Sequence, residues 1–425
     1  MKPFLLMFAA AAALAAAPAS GQATNADSAV RQIVASPAYR SAAAALDAGH
    51  DRWVEDIVAI TEIPAPPFKE QVRARAFADM LKKRGLDARI DEEGNVLALR
   101  KGTEPGPVVA VSAHLDTVFP EGTDVKVRRN GTRLNAPGVG DDSTGLATLL
   151  ALADAMNAAG VRTRSDILFV GTVGEEGLGD LRGVRHLFTR GEYKGRIRAF
   201  FSLDGGGLDS MTTGGTGSKR YRVTFKGPGG HSYGAFGIVN PLVPLAATVT
   251  ELYRIDVPAN PKTTYSASVI GGGTSVNAIP ESVWLEVDMR SASAAELAKL
   301  ERQFLAIVPR AVAAENAARS TQPGKVSADV KPIGDRPAGA TPADADIVRF
   351  AEAAYRAEGL KVDKNTSSTD ANTPMSLGIP ALTMSRIAEG GRAHAPDEWI
   401  DVDKAPNVKL RRILLATILA TAGVP

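Results

Sequence analysis

Five residues spread along the chain, His114, Asp141, Glu176, Asp204 and His394, are the ones whose types could do chemistry together. They supply two imidazoles and three carboxylates, all nitrogen and oxygen donors. Five such donors exceed what one tetrahedral metal site with room for water requires. They suit two cations that share one carboxylate and keep open positions for water and a carbonyl oxygen. Nitrogen and oxygen without sulfur fit zinc first, with cobalt or manganese as alternatives. The chain has no cysteine, so only His, Asp and Glu could hold a metal. Two more acids stand beside these donors. Asp116, two residues after His114, is placed to hydrogen-bond the far imidazole nitrogen and fix its tautomer. Glu175 precedes Glu176 and would face the cleft without binding metal, as a general base for hydrolysis requires.

These residues need a scaffold that brings distant positions together, and the flanking sequence supplies one. Val108-Val-Ala-Val-Ser-Ala-His114 is a run of β-branched and small apolar residues, the pattern of a strand buried on both faces of a parallel sheet. Asp166 to Val173, Arg198 to Leu203 and Pro380 to Ser385 read the same way. Each run is followed by one of the acidic or imidazole clusters, and ligands collect at the carboxyl ends of parallel strands in open α/β folds. Asp141 lies in a glycine-rich loop just before an apolar helix over Leu146 to Asn157, so taken alone it reads as a helix cap. From Ser28 to Arg84 the pattern is helical, broken at Pro64, Pro66 and Pro67. Asn95 to Arg100 reads as a strand.

Between Gly214 and about Lys331 the texture changes. Tyr221, Val223 and Phe225 alternate with polar residues, as do Val283, Leu285, Val287 and Met289, which is the period of strands with one wet face. Helical stretches over Val239 to Arg254 and Ala294 to Val308 separate them. The expectation is an inserted α+β domain, ferredoxin-like, with a four-stranded antiparallel sheet and two helices. Ala311 to Gly324 reads as a polar connector. The fold class is therefore α/β: a catalytic domain with a mainly parallel mixed sheet flanked by helices, split into 24–214 and 332–425 by an insert at 215–331.

Composition narrows the function. A chain of 425 residues is long enough for two domains. A net charge of +2 gives no basic field for nucleic acid, and no arginine-rich run carries interleaved aromatics. No Gly-x-Gly-x-x-Gly follows the first strand, which excludes a Rossmann-type nucleotide binder. Residues 1–23 read as a secretory signal peptide: Lys2, an apolar run from Phe4 to Ala17, then small-residue sites at Ala17-Pro-Ala19 and Gly21-Gln-Ala23. An uncleaved anchor is the plain alternative. The protein is expected to be exported, periplasmic or secreted, without stable membrane insertion after cleavage.

The ordered motifs Ser112-Ala-His114-Leu-Asp116-Thr, Gly140-Asp141-Asp142, Gly174-Glu175-Glu176-Gly, Ser202-Leu-Asp204-Gly, Gly229-Gly-His231-Ser and His394-Ala-Pro-Asp-Glu398 resemble one family. It is that of the co-catalytic dizinc metallopeptidases of clan MH, which includes peptidase T, carboxypeptidase G, carnosine dipeptidases and amino-acid deacylases. The resemblance runs from about Ala29 to the C-terminus. It implies two zinc ions per subunit, one held by His114 and Asp204, the other by Glu176 and His394, with Asp141 bridging. It implies Glu175 as the base and Asp116 as the residue orienting His114. It implies that the insert mediates a homodimer, in which His231 helps polarise the scissile carbonyl, often of the neighbouring subunit. Asn277 and Arg290 fit the family's substrate-gripping positions, with Arg290 placed to pair with a substrate carboxylate. Read without the family, His231 is a loop histidine and Arg290 a charge at a strand end.

The chain departs from the pattern in one place: Ser143-Thr144 follow Asp141-Asp142 where many relatives have lysine and a small residue. Asp370, in Ser367-Ser-Thr-Asp370-Ala, is read as a helix cap. His50 and His186 lie on helical patterns and are read as structural or exposed. Asp rather than Glu at 204 resembles the aminopeptidase and dipeptidase branch. The favoured activity is thus metal-dependent exopeptidase cleavage of short peptides. N-acyl amino-acid deacylation, or carboxypeptidase G-like amide hydrolysis, is the alternative. A non-catalytic binding protein on the same fold is the answer of another class, and its mark would be a lost ligand or base.

Overall fold

The computed structural model describes the backbone from residue 20 and side chains from residue 25 to the C-terminus. The expected signal peptide lies largely outside the described residues. The architecture is a mixed α/β fold built on a nine-stranded sheet. Its centre carries the four runs that precede the site residues: β1 (Val108–His114), β2 (Ile167–Thr172), β3 (Ile197–Gly206) and β4 (Ala381–Ile387). β2, β1, β3 and β4 lie side by side, all parallel, and antiparallel strands close both edges.

Why these runs become central strands is visible in β1, where every residue is buried. Val109, Val111 and Ala113 enter one core with the helices His50–Thr61, Ser143–Ala158 and Lys404–Ala422. Val108 and Ala110 enter the opposite core with Arg182–Thr189. A strand apolar at every position satisfies both faces only when helices cover both. The register sets His114 beside Thr172, so the loops that follow β1 and β2 leave the sheet together.

The helical N-terminal part is four helices: Ser20–Ala35, Pro37–Ala48, His50–Thr61 and Gln71–Lys82. Trp53 anchors it, fully buried, with its indole N–H donating to Thr148 Oγ1 at 3.1 Å. His50 and His186 are both buried. Among the described residues no helix is long and apolar enough to cross a membrane.

A second sheet, antiparallel throughout, is made by Gly217–Lys226, Thr263–Gly272, Ser282–Ser291 and Ser327–Arg336. With helices Leu242–Leu252 and Ala294–Ala318 it follows a β-α-β-β-α-β order and encloses its own apolar core around Val223, Leu285, Met289 and Phe304. Two expectations change here. The stretch from Ala311 is helix rather than connector up to Ala318, because the helix passes through Pro309 and keeps an apolar stripe of Phe304, Ile307, Val308 and Ala311 buried. The last strand also runs past 331 to Arg336, which pairs with Ser218 at the root of the sheet.

Candidate metal centre

Three of the five expected donors come from the ends of the central strands and two from loops that meet them there. His114 is the last residue of β1, Glu175 and Glu176 follow β2, and Asp204 lies near the end of β3. Asp141 precedes the helix Ser143–Ala158, and His394 lies in the loop between strands Glu389–Gly391 and Trp399–Asp401. His394 adopts φ +66°, a left-handed conformation open to histidine more often than to most side chains. Convergence from 280 positions of sequence is complete for all five.

Asp141 is the centre of the arrangement. Its Oδ1 lies 2.9 Å from His114 Nε2, and its Oδ2 lies 3.2 Å from His394 Nε2. Asp204 Oδ1 is 3.9 Å from His114 Nε2, and Glu176 Oε1 is 2.8 Å from His394 Nε2. Three donor groups result, each with its atoms within 4.8 Å of one another: His114, Asp141 and Asp204; Asp141, Glu176 and His394; and His114, Glu175 and Glu176. His114 Nδ1 is 3.0 Å from the carbonyl of Asp116. A carbonyl only accepts, so the ring proton sits on Nδ1 and the Nε2 lone pair is left for a metal. The donor set therefore fits a pair of divalent cations sharing Asp141.

The neighbouring acids divide by task. Asp142, not Asp141, is the helix cap: its Oδ1 accepts from Gly145 N at 3.1 Å and its Oδ2 from His114 N at 2.8 Å. A side chain at Gly145 would collide with the Asp142 carboxylate, so the cap requires glycine there. The Asp116 carboxylate lies 3.6 Å from His114 Nδ1 and instead accepts the backbone N–H of Glu175 at 3.0 Å and Glu176 at 2.8 Å. Asp116 thus orients the imidazole through its backbone carbonyl, while its carboxylate fastens the Glu175–Glu176 turn. Asp370 caps no helix; it is buried and accepts the Thr172 hydroxyl at 2.5 Å.

Three residues of the site were not legible as such in the sequence. Glu398 accepts the N–H groups of Gly138, Gly140 and Asp141 at 2.7, 3.0 and 2.8 Å, pinning the Asp141 loop. Arg336, at the end of the last strand of the second sheet, places Nη1 3.1 Å from Glu175 Oε1 and donates Nη2 to the Glu175 carbonyl at 2.5 Å. Arg386, near the end of β4, places Nη1 2.6 Å from Asp204 Oδ1. Only the position of Glu398 inside the His394 motif, and of each arginine at the end of a strand, hinted at these roles.

The electrostatics follow from burial of so many acids. Burial pushes the Glu175 carboxyl well above its usual range, and the charge of Glu176 adds to this while Arg336 opposes it. Burial likewise lifts Asp204 to about 7 against the pull of Arg386. Asp141 is buried too, yet Arg386 and hydrogen bonds to both imidazoles hold it well below the carboxylate range. Hydrogen bonds to Asp141 and Glu176 raise His394 to about 10.

These groups line a cavity of about 480 Å³, which includes Asp141, Glu175, Glu176, Asp204 and His394 along with Arg220, Arg290, Arg336 and Arg386. Arg290 reaches it from the wet face of the second sheet, with Nε bonded to Asp288 at 2.7 Å. His231 and Asn277 do not line it. They lie on a short exposed ribbon where His231 pairs with Ala278, beside the fully exposed Tyr233, Phe236 and Val276.

Comparison with known proteins gives a family and a fold. A family model described as peptidase family M20/M25/M40 matches residues 110–418. A curated Pyrococcus abyssi protein named for LysW-lysine/LysW-ornithine hydrolysis is 31% identical over 144 residues, 34% of this chain and 39% of that protein. The matched stretch is thus well under half of that relative's length. The structure of aminopeptidase PepT from Bacillus cereus aligns with a TM-score of 0.70 at 18% identity, covering 88% of this chain and 99% of that one. The Bacillus subtilis protein YXEP, described as a dinuclear metal binding peptidase, aligns with a TM-score of 0.64 at 16% identity, covering 88% of this chain and 99% of that one.

Proposed function

The chain belongs to peptidase family M20/M25/M40 and is a hydrolase of peptide or amide bonds, and from that premise we propose that it is a dizinc exopeptidase acting on short peptides. One observation carries the reading: the two oxygens of Asp141 face two different histidines, each with a further carboxylate beside it. His114, Asp141 and Asp204 would hold one ion, and Asp141, Glu176 and His394 the other. Zinc suits these donors, with cobalt or manganese as substitutes. When bound, such a pair supplies Lewis acidity to a carbonyl and acidifies water.

The chain's own residues do the rest. Glu175 takes the proton of the attacking water and passes it to the leaving amine, so that hydroxyl adds to the acyl carbon as the C–N bond breaks. Arg290 holds the free carboxylate of the substrate in the cavity wall. His231 and Asn277 are exposed and do not line this chain's cavity, which suits a homodimer in which the exposed ribbon with Tyr233, Phe236 and Val276 reaches the partner's cleft. There His231 would donate to the developing oxyanion and Asn277 would grip substrate. We also propose export, on the N-terminal signal pattern.

Arg290 on the cavity wall favours any substrate with a free carboxylate, so N-acyl amino-acid deacylation is the second reading. Purified protein assayed on di- and tripeptides beside N-acetyl amino acids separates the two. Peptide cleavage with little deacylation supports the first, and turnover of acylated substrates alone overturns it.

A further inference from the structure

The two cation positions have matching donors: one imidazole, a share of Asp141, and one further carboxylate, Asp204 or Glu176. Their surroundings do not match. The Arg386 side chain, 9% exposed, enters on one side of Asp141 only. Its Nη1 lies 2.6 Å from Asp204 Oδ1 and its Nη2 3.4 Å from Asp141 Oδ1. Its Nε lies 3.4 Å from Asp142 Oδ1 and donates to the Gly140 carbonyl at 2.5 Å. Among the described residues, every ion pair of Arg386 is with Asp141, Asp142 or Asp204, and none is with Glu176 or His394. The other cavity guanidinium groups are paired with acids that are not among these donors: Arg336 with Glu175, and Arg220 and Arg290 with Asp288.

We infer that Arg386 makes the two metal positions unequal, so that the Asp141–Glu176–His394 position fills first and the His114–Asp141–Asp204 position is the weak one. This rests on the metal-dependent reading of the site. The Asp204 oxygen bonded to Arg386 is the same Oδ1 that lies nearest His114 Nε2, so a cation arriving there shares that oxygen with a guanidinium. It also sits against a fixed positive charge in a buried place, where repulsion is weakly screened. Two hydrogen bonds and two ion pairs hold the side chain, so it cannot swing aside without giving up the Gly140 carbonyl, Asp204 Oδ1 and its contacts with Asp141 and Asp142. A cation at the other position lies on the far side of Asp141 and meets this charge at longer range. Residues that touch a ligand from outside shift metal affinity by roughly 10- to 100-fold, and a fixed cation in that place shifts it downward by repelling the incoming charge.

The test is a calorimetric titration of metal-free protein with Zn²⁺ against a competing chelator, repeated with Co²⁺ read by its absorption spectrum. The wild type is expected to bind in two steps whose dissociation constants differ by about tenfold or more. His394→Ala should lose the tight step and His114→Ala the weak one. Arg386→Gln should tighten the weak step about tenfold and close the gap, while Arg386→Lys, which keeps the charge, should leave a gap. Two equal steps in the wild type overturn the inference, as does a tight step that survives His394→Ala. So does an Arg386→Gln protein whose weak step is unchanged or weaker, since Arg386 would then only orient Asp204. Should Arg386→Gln fail to fold by circular dichroism, the wild-type spacing and the two histidine variants still decide. Protein that binds no Zn²⁺ at all would sink the metal-dependent reading first, whereas equal binding at two positions would sink only this inference.

Discussion

Replacing Glu175 by glutamine changes almost nothing but the ability to take a proton. The amide is nearly isosteric, keeps an oxygen for Arg336 Nη1 at 3.1 Å, and leaves the bond from Arg336 Nη2 to the Glu175 carbonyl untouched. The turn that carries it is fastened separately, by the Asp116 carboxylate on the N–H groups of residues 175 and 176. What disappears is the base, and a positioned base is worth about 10²- to 10⁴-fold. At 1.36 kcal/mol per tenfold that is about 2.7–5.4 kcal/mol of barrier. The expected result is a kcat lower by that factor, KM within a few-fold, and about two metal equivalents per subunit retained. Metal must be measured on the same samples, because Glu175 also lies within one donor group with His114 and Glu176. Near-normal turnover would remove Glu175 as the base. Metal lost in proportion to activity would make it a ligand instead, and the mechanism would need another proton acceptor.

Other expectations follow from the same structure. Dialysis against a chelator should abolish hydrolysis and Zn²⁺, Co²⁺ or Mn²⁺ should restore it; undiminished activity in protein shown metal-free by elemental analysis would refute metal dependence. His231→Ala should lower kcat while melting temperature and metal content stay put, since the side chain is exposed; metal loss would mean that its place has been misread. Arg336→Met leaves a buried Glu175 without its counter-ion and should cost about 3–5 kcal/mol in denaturant unfolding, and no change would show the pair to be slack. His50 is held below its ordinary 6.5 by burial and by Arg411, so the unfolded chain takes up that proton first. Its contribution is therefore complete above about pH 6.5 and is lost as pH falls below it. His50→Gln should flatten that part of a melting-temperature profile, and an unchanged slope would exclude His50 as the source.

The parts of the fold that read directly from sequence are those where one physical pressure acts alone. β1 is buried along its whole length because both faces are covered, and its apolar run from Val108 to Val111 shows this directly. The alternation in Ser282–Ser291 likewise has one cause, a sheet with one buried and one wet face. Reading fails where two pressures oppose. Pro309 and the alanine-rich, polar stretch after it argued for a connector, yet burial of Ile307, Val308 and Ala311 against the second sheet carries the helix to Ala318. The strand Ser327–Arg336 carries no clear strand pattern for a similar reason. Pro332 and Gly334 disfavour strand, and a register shift between them absorbs the irregularity so that pairing continues.

The site shows the same division at the level of single side chains. Its motif acids look alike in sequence, but they separate by what reaches them first. Asp116, Asp142 and Glu398 are met by backbone N–H groups, so their charge is consumed in holding the loops after β1, β2 and before the helix Ser143–Ala158. Asp141, Glu176 and Asp204 are met by imidazole or guanidinium and turn oxygens toward the cavity. Adjacent residues fall on opposite sides of this line, Asp141 from Asp142, because Asp142 caps the helix and Asp141 is the loop residue before it. No spacing rule could assign them. The arginines were hidden for a different reason: among 49 lysines and arginines most are solvated, so a single guanidinium at a strand end carries no signal until the strand is known to end among carboxylates. That dependence has a physical root. A cluster of buried acids must recruit positive charge from wherever the fold can deliver it. Here the fold delivers it from β4 and from the root of the second sheet, which share nothing in sequence except that both stop at the same cavity.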